Sequence, residues 1–168
     1  MLAFEIHAPL VAARQWWKYA VASSHVEDQL AWSEASRRYV TADPTFYVPE
    51  VWRSAPENRK QGSGGPVPPA VQTEADRRFR AHVVASLAHY EWALESGIAP
   101  ELARAWLPAY HLYVTWRWTA SLAAVGHFLR ERLEEKAQAE LHAYAVAVKQ
   151  LAERVFPVSV AGLTNAFP

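Results

Sequence analysis

At 168 residues, 51% of them hydrophobic and 20% charged, the chain is long enough for one domain with its own core and too apolar to be mainly disordered. Seventeen Lys and Arg offset seventeen Asp and Glu, so no net field draws it to nucleic acid or an anionic membrane, and any phosphate it binds must be held locally. The lack of cysteine excludes disulfides, thiolate metal sites and attack on a substrate by a cysteine nucleophile.

The opening MLAFEIHAPLVAAR carries Glu5 where a secretory signal carries basic residues. No later stretch is apolar for long enough to span a bilayer, so a cytoplasmic protein without membrane contact is expected. Residues 2 to 8 alternate, with Leu2, Phe4 and Ile6 on one side and Ala3, Glu5 and His7 on the other, which predicts a half-buried strand. Pro9 ends it. From Leu10 to about Ala22 the apolar residues crowd one helical face and leave Arg14, Gln15 and Lys18 as neighbours able to converge on one ligand. Ser24 to Glu27 has capping-box spacing and predicts a short helix from Ser24.

Asp43-Pro44 marks a turn. The stretch SAPENRKQGSGGPVPP, residues 54 to 69, is rich in Pro and Gly and without apolar period, so a long, mobile loop is expected. Thr73 to Ser96 carries Phe79, Val83, Leu87, Tyr90 and Leu94 at helical spacing and stops at Gly97. Pro100 opens a short helix through Trp106 that Pro108 ends. His111 to Thr119 alternates as a strand does, and Ser121 to about Arg132 and Lys136 to Val155 read as two more helices. The class is α+β, helix-rich with a small antiparallel sheet, in a single domain over 1–168.

The seven His show no spacing that brings three ligands together; His82 and His89 share a helix face but suit surface or core positions better, and no metal is expected. Eight Trp and seven Tyr suit either an aromatic core or flat, ring-shaped ligands.

Several stretches taken in order carry a more specific signal: APLVAARQWWK, WSEASRRYV, FYVPEVWR, then GIAPELARAWLP, WTASL, HFLRER and AQAEL. In order and spacing this set resembles the flavin-dependent thymidylate synthase family over most of the chain. The family's hallmark is Arg-His-Arg, seven residues, then Ser, with Glu two before the Ser and Arg-Tyr after it. Here Glu34, Ser36, Arg38 and Tyr39 stand as the right-hand part. Lys18, Tyr19 and Ala20 occupy the Arg-His-Arg positions, and fifteen residues rather than seven separate Ala20 from Ser36, an insertion placed around Ser24 to Leu30. The likeness begins at what is usually the family's second strand.

That resemblance implies a homotetramer with shared active sites, in which Gln15, Lys18, Glu34, Ser36 and Arg38 of one subunit meet Arg104 and Arg132 of another around a pyrimidine nucleotide. The residue types suit that role, since guanidinium forks bind phosphate bidentately, and Ser and Gln supply neutral bonds. Taken singly, each arginine also fits an ordinary surface salt bridge. Arg132 is the implied catalytic residue, stabilising negative charge that develops on the base. The implied FAD site involves Lys18, Tyr19, Ser121, His127 and Lys136, with the amides of residues 58–65, Arg59 and Lys60 as a further seat for phosphate.

The implied reaction is C5-methylation of dUMP or UMP, with methylenetetrahydrofolate as carbon donor and NADPH-reduced flavin as hydride source. UMP methylation occurs in relatives that serve nucleoside-antibiotic pathways. The family dispenses with a cysteine nucleophile, in agreement with the cysteine count. The alternatives are a nucleotide-binding family member without redox activity and, last, a helical oligomerisation module.

Overall fold

The structure, a computed structural model, describes residues 1–26, 44–56, 62–134 and 137–165. Its centre is a three-stranded antiparallel sheet in the order β1-β3-β2, formed by β1 (Leu2–Pro9), β2 (Ser23–Val26) and β3 (Tyr113–Ala120). The expected alternation sets the faces. Phe4, Ile6 and Ala8 of β1 and Val114, Trp116, Trp118 and Ala120 of β3 are buried, while Glu5 and its cross-strand partner Arg117 are exposed. Period-2 patterning thus gives a sheet with one face for the core and one for solvent.

Helices cover the buried face. α1 (Leu10–Trp16) follows β1 directly, α4 (Leu122–Arg132) follows β3, and α5 (Ala139–Val155) and α6 (Pro157–Asn165) pack against α4. Trp16 is the hub of this core. It stacks on Phe128 with centroids 4.5 Å apart and meets Trp116 and Trp118 edge-on, at 87° and 77°. The second element group is α2 (Pro69–Glu95), which runs to Ser96 and the positive-φ Gly97, then α3 (Pro100–Ala103) with a 3-10 turn over Arg104–Trp106. A small cluster of Tyr90, Ala93, Ala103 and Leu107 holds these together.

Three expectations are corrected. α1 ends at Trp16 rather than near Ala22, so Lys18 lies beyond the helix and does not share its face with Gln15. The helix expected from Ser24 is instead the strand β2, paired from Ser23↔Ala120 to Val26↔Arg117. Both changes have one cause. Ala22 adopts φ 55°, which turns the chain back along β3, and the open edge of β3 offers hydrogen bonds to a whole strand where a capping box offers two. Ser23 Oγ and His25 Nε2 then donate to the Tyr19 carbonyl, the latter at 3.0 Å, instead of capping a helix. Last, α6 was not expected: its apolar residues have no clear period, yet Pro157 restarts a helix after Phe156 and buries Val160.

The described parts of the 54–69 segment are tied down at both ends. Ser54 N donates to Gly65 O, Gly64 N to Ser54 O and Val67 N to Trp52 O, all within 2.8–2.9 Å, and Arg53 pairs with Pro66 in an isolated bridge. Gly64 fits closely here: a Cβ would meet the Ala55 carbonyl at 3.1 Å and push Ser54 Oγ off the Gly65 carbonyl.

Candidate functional site

The short α1 leaves Lys18 and Tyr19 on the turn between α1 and β2, facing α4. There Ala124, His127 and Glu131 form one stripe at helical spacing, and Arg132 closes the helix. Together with Val21 these residues line a cleft of about 260 Å³. Four of the residues expected around a ligand, Lys18, Tyr19, His127 and Arg132, therefore meet in one place. The Arg132 guanidinium lies over the Tyr19 ring at 5.3 Å, and the His127 ring is 5.5 Å from the same ring. Lys18 and Arg132 outnumber Glu131, so the cleft favours an electron-rich guest.

Arg132 is held from three sides. Its carbonyl accepts from His142 Nδ1 at 3.0 Å, its Nη1 donates to Gln15 Oε1 at 3.5 Å, and its guanidinium lies over the Tyr19 ring. Its Nε is a buried donor with no partner among the described residues, a position that a ligand oxygen would satisfy. Burial pushes the Tyr19 phenol up, and Arg132 pulls it part of the way back; at neutral pH Tyr19 is a neutral phenol.

Ser121 takes a structural role: it is the N-cap of α4, and its hydroxyl accepts from Ala124 N at 3.1 Å. Arg104 stands in the 3-10 turn after α3, donates from Nε to Glu101 O at 3.1 Å, and lines neither this cleft nor the next one. Glu34, Ser36, Arg38 and Lys136 lie outside the described residues, as do Arg59 and Lys60.

A second cleft, of about 410 Å³, opens on the other side of Gln15. Its walls include Tyr47, Trp52, Arg53, His111, Gln138 and Glu140, none of which was singled out from the sequence as a site residue. Arg53 Nη2 donates to Glu140 Oε1 at 2.5 Å, and Tyr47 OH donates to the same oxygen at 3.2 Å. Burial works to raise the Glu140 pKa, but the bond from Arg53, helped by the residue's own backbone N–H, prevails and holds it below the ordinary carboxylate value. The Tyr47 phenol, buried and beside that carboxylate, is pushed up to about 12. Trp52 is fixed by Nε1 donating to Asp76 Oδ1 at 2.7 Å, and His111 Nδ1 donates to the Tyr47 carbonyl at 2.8 Å. No local pattern marks this group, because Arg53 and Glu140 are 87 residues apart; its members sit inside or beside FYVPEVWR and AQAEL, two of the stretches that carry the family likeness.

The smaller cleft is below the roughly 300–1,000 Å³ of pockets that enclose a drug-sized ligand. It admits ring edges rather than whole ligands, and its paired cations, phenol and imidazole fit the electron-rich edges of a pyrimidine and an isoalloxazine. Among the described residues no group of three or more His, Asp or Glu could hold a metal ion, and no helix is long and apolar enough to cross a membrane.

The family model described as thymidylate synthase complementing protein, Thy1, matches residues 1–158. The chain is 34% identical over 168 residues to a flavin-dependent thymidylate synthase of Treponema pallidum (strain Nichols), covering 98% of this chain and 52% of that protein. It is 33% identical over 156 residues to a flavin-dependent thymidylate synthase of Thermus thermophilus, covering 93% and 53%. It thus spans about half the length of these curated relatives. A crystal structure of the UMP/dUMP methylase PolB from Streptomyces cacaoi bound with 5-Br dUMP superposes with a TM-score of 0.78 at 24% identity, covering 98% of this chain and 70% of that one. The same methylase bound with 5-Br UMP gives 0.79 at 23%. At these identities the likeness establishes the shared fold.

Proposed function

Because the chain belongs to the Thy1 family, that of the flavin-dependent thymidylate synthases, we propose that it binds a pyrimidine nucleoside monophosphate, dUMP or UMP, and methylates C5 of the base. The observation that carries this reading is the Arg132 cluster: one guanidinium braced by Gln15 and Tyr19, with a buried Nε still lacking a partner among the described residues, beside Lys18. Such a preorganised cation stabilises negative charge that develops on a pyrimidine carbonyl or nitrogen as C5 becomes nucleophilic, and needs no reorganisation at that moment. The chain has no cysteine to activate the ring by addition, so activation falls to such donors.

Flavin, when bound and reduced by NADPH, supplies the hydride that completes the methyl group, methylenetetrahydrofolate supplying the carbon. Lys18, Tyr19 and His127 are the described residues that would hold the flavin ring edge, with Lys136 completing the set. Ser121 serves the flavin only through the position it gives α4, because its hydroxyl is occupied as a cap. Glu34, Ser36 and Arg38 hold sugar and phosphate. Arg104 stands apart from both clefts described above, which is compatible with a role on the nucleotide of a neighbouring copy in a homotetramer.

The test is an assay of the purified protein with methylenetetrahydrofolate, FAD and NADPH against dUMP and UMP separately. A C5-methylated product from either is expected; none from both overturns the reading. In the second reading, a nucleotide-binding protein without redox activity, motivated by the commitment of Ser121 to its cap, dUMP or UMP binds but added FAD is not retained.

A further inference from the structure

Tyr19 and Arg132 face each other in the smaller cleft, and each is fastened at its backbone carbonyl by a histidine from another element. His142, in the first turn of α5, donates from Nδ1 to the Arg132 carbonyl at 3.0 Å. His25, on β2, donates from Nε2 to the Tyr19 carbonyl at 3.0 Å, its ring stacked on Trp118 with centroids 6.1 Å apart. A carbonyl only accepts, so each imidazole must carry a proton on the bonding nitrogen, Nδ1 in His142 and Nε2 in His25. Neither histidine lines the cleft.

The two walls differ in how much depends on the tether. The Tyr19 carbonyl also accepts from Ser23 Oγ, and the Tyr19 amide donates to the Trp16 carbonyl at 2.9 Å, so that wall keeps its place without His25. Arg132 is the last residue of α4, where helix carbonyls find no amide of their own helix and the chain tends to fray. The restraints on its side chain are slight: the link to Gln15 is 3.5 Å, at the limit of a hydrogen bond, and the Tyr19 contact is a ring face at 5.3 Å. The guanidinium therefore goes where the main chain of Arg132 puts it, and His142 ties that main chain to α5.

Resting on the functional reading above, we propose that His142 is a positioning residue for the reaction: by holding the Arg132 carbonyl it sets the guanidinium where negative charge develops on the base. Its effect falls on the rate of the chemical step more than on capture of the nucleotide. Sugar and phosphate are held by other groups on that reading, whereas a preorganised donor counts most as charge appears. A displacement of about 1 Å is enough to lower such a rate by about a hundredfold.

The experiment is steady-state C5-methylation by the full chain, on wild type, His142→Ala, His142→Asn and His142→Gln, below the melting temperature of each. The amide nitrogen of Asn stands where Nδ1 stands and keeps the donor; that of Gln reaches as far as Nε2 and overshoots the carbonyl. In His142→Ala and His142→Gln, kcat should fall by about ten- to a hundredfold while KM for the nucleotide moves less than about threefold. His142→Asn should recover most of the rate. A wild-type kcat in His142→Ala overturns the proposal, and so do equal rates in His142→Asn and His142→Gln, a comparison that stands even where the alanine variant does not fold.

A second readout needs no ligand. The Arg132 Nε is buried, which protects its proton from exchange, and its resonance is assigned by its loss in Arg132→Lys. In the free protein that resonance should move in His142→Gln and return toward its wild-type position in His142→Asn. Such a shift without any methylated product from wild type keeps the tether and removes the functional reading. No shift overturns the proposal whatever the assay gives.

Discussion

The guanidinium carbon of Arg132 sits 5.3 Å from the centre of the Tyr19 ring, in the cleft that α4 and the turn after α1 form together. A cation over an aromatic face gains about 0.5–2 kcal/mol, more as water is excluded. Tyr19 occupies a position where the family has a histidine, and this contact gives the phenol a role of its own.

Tyr19→Phe keeps the ring beneath Arg132 and removes the hydroxyl; Tyr19→Leu removes both. On the proposed reading, dUMP binding should weaken by about two- to threefold in the first and about tenfold in the second. Calorimetric titration measures both. Equal losses would mean that the hydroxyl, not the ring, carries the effect.

Arg53 and Glu140 form a pair in which the Glu140 side chain is 8% exposed and that of Arg53 26%. Arg53→Ala strands a nearly buried carboxylate and should cost about 3 kcal/mol at pH 7, the low end for such pairs because Arg53 keeps some solvent. The pH dependence has a definite sign. The folded pKa of Glu140 lies below its unfolded value, so its contribution is complete above the ordinary value of 4.5 and is lost as pH falls through the lower folded value. In Arg53→Ala the largest cause that holds it down is gone, the folded pKa rises, and protonation relieves the stranded charge, so the gap between variant and wild type narrows as pH falls. Urea midpoints between pH 7 and pH 3 should therefore fall for wild type and converge with those of the variant.

Gly126 lies where α6 crosses α4, and a Cβ there would meet Leu163 Cβ at 2.9 Å and Cδ1 at 3.1 Å. Gly126→Ala gains about 1 kcal/mol of helix propensity but overpacks the crossing at about 1–3 kcal/mol. A net loss of about 1 kcal/mol is expected by thermal unfolding. In a Leu163→Gly background both the Cβ and the Cδ1 are gone, so the loss on Gly126→Ala should be smaller there than in wild type.

What the sequence discloses follows the range over which each signal acts. β1, β3, α2 and α4 are legible because alternation, helical spacing and the stop at Gly97 are local properties of the chain. The extent of α1 and the nature of residues 23–26 are not, since both depend on the edge of β3, a strand far along the chain. The same division runs through the site. Lys18, Tyr19, His127 and Arg132 are found by motif order, and the fold brings them together. Tyr47, Arg53 and Glu140 acquire meaning only when the loop after Phe46 meets the start of α5, an encounter that no spacing announces.

The tryptophans about Trp16 have a consequence for observing this protein. Trp16, Trp116 and Trp118 are buried at 0–1% exposure, with ring centroids within 5.5 Å for the Trp16 pairs and Trp17 edge-on to Trp116. Transition dipoles so close and so steeply inclined couple, and the place where α1 rests on the sheet should contribute a strong near-ultraviolet circular dichroism signal. Since α1 ends in the turn that carries Lys18 and Tyr19, that signal is an unlabelled optical gauge of the wall of the smaller cleft.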